Sequence, residues 1–118
     1  MAYADVYLMP IPKKNVAAYK KMAARGCRSM MKLGALAYVE TVAEELKLPW
    51  STVPFDRLAK CKPGETVIVA WVLFKSKAHR NQVNKKFYEE AAKAPAPKKF
   101  PFDTKRVSVG GFKALVAA

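Results

Sequence analysis

The 118-residue chain carries 22 Lys and Arg against 9 Asp and Glu, a formal net charge of +13, and 52% of it is hydrophobic. This length gives a single domain, 1–118, that buries about 65% of the surface its unfolded form exposes, and the apolar content excludes a disordered chain. The longest apolar run, Thr66 to Phe74, is about half of what a membrane helix needs, so a spanning segment is excluded too.

The N-terminal stretch MAYADVYLMPIP is interrupted by Asp5 and two prolines and does not read as a targeting segment. Residues 3 to 9, YADVYLM, alternate as a half-buried strand, which Pro10 and Pro12 are expected to end. A helix follows, with Asn15 as its expected N-cap and Gly34 as its C-terminal stop. Val16, Tyr19, Ala23, Cys27 and Met30 form its apolar stripe. Lys14, Lys21, Arg25, Arg28 and Lys32 fall on another face.

Ala35 to Ala43 reads as a second strand, on which the charged Glu40 shares a face with Leu36, Tyr38 and Val42. The stretch 44–65 is broken by Pro49, Pro54 and Pro63-Gly64, with a short helical turn or edge strand expected around Asp56 to Cys61. Thr66 to Lys75, TVIVAWVLFK, is a strand apolar on both sides. Ser76 caps a second helix from Lys77 to about Ala94, with Val83, Phe87 and Ala91 inward and Pro95 and Pro97 beyond its end. The last strand is expected over Lys105 to Val116.

Strand, helix, strand, strand, helix, strand is the ferredoxin-like βαββαβ order: an α+β domain with a four-stranded antiparallel sheet and both helices on one face. The other face, carrying Val67, Val69, Trp71 and Leu73, is apolar as well. An uncovered apolar sheet face predicts a partner surface, hence a homodimer.

Few motifs carry chemistry. Cys27 and Cys61 stand 34 residues apart and form no CxxC, so they read as free thiols of a cytoplasmic protein. The single His79 has no ligand or triad partner at suitable spacing, and Gly110-Gly111 is followed by strand where a phosphate loop needs a helix; no metal and no cofactor are assigned. The third strand also lacks the basic-Gly-aromatic start of an RNA-recognition sheet. Glu40 stands out because a carboxylate on an apolar strand face must be paired, hydrogen-bonded or shifted in pKa.

Gly34-Ala35-Leu36 with Val39-Glu40, then Val69, Trp71, Ser76-Lys77, Arg80 and Asn84, then Pro101-Phe102-Asp103, Lys105-Arg106 and Gly110-Gly111-Phe112 resemble the YbaA-like proteins, a bacterial family of unknown function. The resemblance spans nearly the whole chain, and its most specific element is PFD-x-KR-x3-GGF. It implies a dimeric α+β barrel in which two ferredoxin-like sheets pack face to face. It implies no activity. The chain departs from the family pattern at Thr41-Val42, at Asn81 and in the segment KAPAPKKF.

The sequence therefore predicts a cytoplasmic homodimer that binds a small molecule between sheet and helices, with enzymatic activity left open. The predicted site is bordered by Glu40, Trp71, Arg80, Asn84, Asp103 and Arg106. Glu40 is the candidate acid or base and Trp71 an apolar wall. Arg80 and Asn84, four apart on one helix face, are polar anchors. Asp103, Lys105 and Arg106 make a charged rim, and the adjacent glycines admit another backbone, expected to be the partner's. Two alternatives stand beside this one: a nucleic-acid or other polyanion module using the cationic helix faces, and a structural or regulatory dimer without a ligand. The segment 44–65 is a candidate lid.

Overall fold

Alternation along the strands and a 3.6-residue period along the helices produce the expected element order. A computed structural model describes residues 1–97 and 99–118, so position 98 of KAPAPKKF lies outside it. The elements are β1 (Tyr3–Pro12), a 3-10 turn (Lys13–Asn15), α1 (Val16–Lys32), β2 (Ala37–Val42), α2 (Phe55–Leu58), β3 (Glu65–Phe74), α3 (Lys77–Lys93), a second 3-10 turn (Thr104–Arg106) and β4 (Ser108–Lys113). The strands pair antiparallel in the order β2-β3-β1-β4, the ferredoxin-like arrangement. Among the described residues no helix is long and apolar enough to cross a membrane.

Register decides what each face carries. Tyr7 stands opposite Ala70, which stands opposite Glu40; Asp5 stands opposite Val72, which stands opposite Tyr38. These residues face the helices. One buried cluster joins Met9, Ile11 and Ile68 to Tyr19 and Ala23 of α1, and a second joins Val72 and Phe74 to Met30 of α1 and Val83 of α3. The opposite face carries Val6, Leu8, Val39, Val69, Trp71 and Leu73, as alternation requires. Val67 shares that face yet is only 1% exposed, and α2 packs against its strand. The candidate lid, 44–65, thus sends its short helix to β3.

Several local expectations are revised. The prolines do not end β1, which runs through Pro12. The N–H of Lys13 donates to Gly64 O and Ala2 O accepts from Ala114, so odd residues address β3 and even residues address β4. Since β4 pairs with β1 only from Tyr3 to Leu8, Pro10 and Pro12 point their missing N–H where no ladder partner stands. Asn15 stands at the N-cap position of α1 as expected, but its side chain makes no capping hydrogen bond; its Nδ2 donates to Pro101 O (2.8 Å). The 3-10 turn runs straight into α1 and leaves its side chain free for that longer reach. Ala91, expected inward, is exposed on the last turn of α3.

The remaining caps follow the sequence. Gly34 (φ 112°) ends α1 in a Schellman arrangement: its N–H donates to Met31 O and the N–H of Ala35 to Met30 O. Ser76 Oγ accepts from His79 N–H, and His79 Nδ1 accepts from Lys75 N–H, which gives the single histidine a local structural role.

The last strand is shorter than predicted because the residues before it do other work. Asp103 Oδ1 accepts from the N–H of Lys105, closing the second 3-10 turn. Arg106 then reaches Glu65 at the start of β3 (Nη1–Oε2, 2.8 Å; Nη2–Oε1, 2.9 Å) and Lys60 O (2.9 Å). Phe102 packs edge-on against Tyr19 at 5.7 Å. PFD-x-KR is therefore a clasp that fixes the start of α1 and the start of β3. Gly111, on the strand that follows the clasp, makes room inside the chain. A Cβ there would lie 2.3 Å from the Tyr3 hydroxyl oxygen and 2.8 Å from two of its ring carbons.

This close approach makes Gly111→Ala lower stability by about 1–3 kcal/mol through overpacking, while the same change on a Tyr3→Ala background costs little. Urea denaturation of the four variants measures the coupling, and additive effects would refute the steric account. The clasp has its own pH signature. Glu65 is held well below the usual carboxylate range, at about 2, by its hydrogen bonds from Arg106 and then from the Lys62 N–H. A depressed carboxyl stabilises the fold above its unfolded value of about 4.5 and loses that contribution as pH falls toward about 2. Arg106→Gln should accordingly lower Tm at pH 7, with the gap to the parent closing between those two pH values.

Candidate functional site

The helix stripe predicted from sequence lies over β2 with a space left between them. This groove has a volume of about 420 Å³. Tyr19, Ala23 and Cys27, at spacings of four, line it from α1; Tyr38 and Glu40 line it from β2, and Ile68 from β3, with Lys20 also on its wall. Apart from Glu40, Lys20 and the hydroxyls, the surroundings are apolar.

Glu40 holds the chemistry of this groove. Its Oε1 accepts from the Tyr19 hydroxyl and its Oε2 from the Tyr38 hydroxyl, both at 2.7 Å. Tyr38 reaches it because residues two apart on a strand share a face, and Tyr19 because the first turns of α1 cross that face. Burial first, then the hydrogen bond to Glu40 and its charge, push both phenols far above the usual tyrosine value. Both are fixed O–H donors at neutral pH. A carboxylate has about four acceptor positions, so two remain for a guest in the groove.

A second carboxylate sits one row away. Asp5 is 4% exposed, accepts from Asn84 Nδ2 (3.0 Å) and pairs with Arg80, whose Nε lies 3.6 Å from Oδ1. Arg80 also donates from Nη2 to the Tyr3 hydroxyl (3.1 Å) and stacks over that ring at 4.9 Å. Arg80 Nε and Asn84 Oδ1 are buried without a hydrogen-bond partner among the described residues. Between the two carboxylates stands Tyr7. Its phenol is pushed up to about 12 by burial and, in smaller measure, by Tyr88, Asp5 and Glu40, with Arg80 opposing.

The six residues predicted to share one site are thus distributed over four places. Glu40 lines the α1–β2 groove. Arg80 and Asn84 do converge, four residues apart on α3, and the group they anchor is Asp5. Asp103 and Arg106 belong to the clasp at the β3 start. Trp71 faces away from the helices, opposite Val6 and Val39, and is 38% exposed. Sequence reasoning misses Asp5, although a charge on an alternating apolar strand is the same signal that singles out Glu40. It also finds Tyr19 and Tyr38 only as apolar positions. Among the described residues, no three His, Cys, Asp or Glu side chains are grouped to hold a metal ion.

Comparison with known proteins agrees with the resemblance read from the motifs. Residues 2–104 match the model of DUF1428, described as a protein of unknown function. The chain is 31% identical over 117 residues to the uncharacterized protein YbaA of Escherichia coli strain K12, with 98% of each chain covered. The same figures hold for YbaA of Escherichia coli O157:H7 and of Shigella flexneri. Among solved structures, the de novo designed protein Foldit4 aligns over 96% of this chain and 97% of its own at 9% identity, with a TM-score of 0.45. With a family model over most of its length and relatives matched nearly end to end, the chain belongs to the DUF1428 family of proteins of unknown function.

Proposed function

We propose that this protein is a cytoplasmic homodimer that binds a small, largely apolar molecule in the α1–β2 groove, with Glu40 accepting a hydrogen bond or proton from it. The observation that carries the reading is a carboxylate held by two protonated phenols inside an apolar groove. Burying such a group costs free energy, and the fold retains it where a guest has room to reach it. The volume of about 420 Å³ falls within the range of small-molecule pockets. A neutral guest bearing one O–H, N–H or acidic C–H matches the free acceptor positions and the apolar walls. For a sufficiently acidic guest, Glu40 is the base. The two cysteines are unpaired, in keeping with a reducing compartment.

The dimer reading rests on the sheet face away from the helices. Across the four strands, the rows from Ala37–Leu73–Ala4–Phe112 to Thr41–Val69–Leu8–Ser108 carry no charged residue, in a chain that is 26% charged. Trp71 is 38% and Phe112 56% exposed there. Two copies of +13 repel each other, so a charge-free apolar face is where they can approach at least cost. Two such sheets pack at about 10 Å with their inner side chains interdigitated.

Each half of the reading has its own test. N-phenyl-1-naphthylamine, a neutral apolar fluorophore with a single N–H, should bind saturably with enhanced emission. Ala24→Trp, at the groove wall, should abolish that signal, and Glu40→Gln should weaken it about tenfold, the loss of one charge-assisted hydrogen bond. Emission indifferent to both substitutions would sink the groove assignment. Sedimentation equilibrium at micromolar concentration should give twice the chain mass of 13.1 kDa, falling to a single copy in Trp71→Lys. A parent protein that sediments as one copy would end the dimer proposal.

A further inference from the structure

The outer face of α1 is the largest charged feature that the groove does not use. Between Lys13 and Lys32 the sequence holds seven Lys and Arg and no Asp or Glu, more than half of the net +13. At about 100° per residue, Lys21, Arg25, Arg28 and Lys32 fall within about 60° of one another, on the side of α1 opposite the buried Tyr19, Ala23 and Met30. They form a straight line about 17 Å long with cations spaced at roughly 4–6 Å, and Lys14 extends it at the helix start. All five are exposed. The ion pairs among the described residues are Arg80–Asp5 and Arg106–Glu65, so no carboxylate neutralises the line. Exposed positions beside it are small: Ala17, Ala18 and Ala24 leave the charges unshielded.

From this we infer that the outer face of α1 is a docking line for the phosphate backbone of a nucleic acid, read without regard to base sequence. A regular row of unpaired cations matches a regular row of phosphates and draws its affinity from counterion release. Base recognition has no counterpart on the line itself, because the one aromatic residue of α1, Tyr19, is buried against the sheet and the outer face of the helix offers no ring for a base to stack on. A membrane surface is a poorer fit. A helix lying in that interface needs Trp, Phe or Leu to insert, and the apolar face of α1 is already committed to its own sheet. The groove and the line share α1 and adjoin at Ala24, but the cations of the line do not line the groove, so neither reading depends on the other.

The test is fluorescence anisotropy with a labelled 20-base-pair DNA duplex of arbitrary sequence, titrated from 50 to 300 mM NaCl. The expected log K against log salt slope is about −4 per chain, with no change when the duplex sequence is scrambled. Arg25→Gln with Arg28→Gln should make the slope shallower by about 2 and weaken binding at least tenfold at the lowest salt. Lys86→Gln with Lys93→Gln, on exposed positions of α3, removes the same charge elsewhere and should leave the slope unchanged. Equal effects from the two pairs would assign binding to net charge and overturn the line. So would absence of binding at 50 mM salt, or equal binding to poly-glutamate or to phosphatidylserine vesicles.

Discussion

Two carboxylates on the helix-covered face of the sheet constrain everything built above them. Asp5 and Glu40 stand on neighbouring rows, where an unpaired charge would cost more than most single contacts in the fold return. Each has been given a different solution. Asp5 is closed off by an ion pair and an amide from α3, which turns it into an anchor for that helix. Glu40 is met by two neutral O–H donors, which orient its oxygens without cancelling its charge. The first arrangement cancels the charge within the chain, although Arg80 Nε and Asn84 Oδ1 keep no hydrogen-bond partner among the described residues; the second leaves an uncancelled charge beside an open groove. That difference, more than burial alone, separates the structural carboxylate from the candidate functional one.

How far the sequence reveals this follows from what period and register each encode. Alternation gives faces, so spacing alone places Glu40, Tyr38 and Val42 together. The two apolar sides of TVIVAWVLFK are equally plain. What alternation does not give is which side of one strand matches which side of the next, and a one-residue slip exchanges the two. Trp71 and Glu40 are separated for this reason: the register partner of Trp71 on β2 is Val39, and Glu40 stands opposite Ala70. Long-range partners are hidden in the same way. The spacing of Arg80 and Asn84 predicts a shared face, but their target, Asp5, lies 79 residues from Asn84 in the chain.

The motif PFD-x-KR-x3-GGF illustrates a second limit. Its density of charge and glycine suggests a pocket rim, yet five of its members are consumed by packing: Pro101 O by Asn15, Phe102 by Tyr19, Asp103 by the turn, Arg106 by Glu65 and Lys60, and Gly111 by Tyr3, while Lys105 and Phe112 stay exposed. A specific pattern marks a place where few residues fit, and geometry satisfies that condition as well as chemistry does. The glycine is instructive: the absent Cβ admits a ring of the same chain, with no second backbone required.

The clasp nonetheless bears on the groove. Tyr19 receives Phe102 on one side and donates to Glu40 on the other, so the segment that secures the start of α1 also sets the position of one of the two phenols. Asn15 ties the same helix start to Pro101. The distance between α1 and β2, and with it the width of the groove, is therefore governed by residues from the far end of the chain. A guest of the kind proposed, entering beside Ala23 and Ile68, would meet walls whose spacing the clasp holds, and pre-organisation of this kind reduces the ordering cost of binding. The charged outer surface of α1 sits on the same rigid mount, which is why one helix can face an apolar groove on one side and a row of cations on the other.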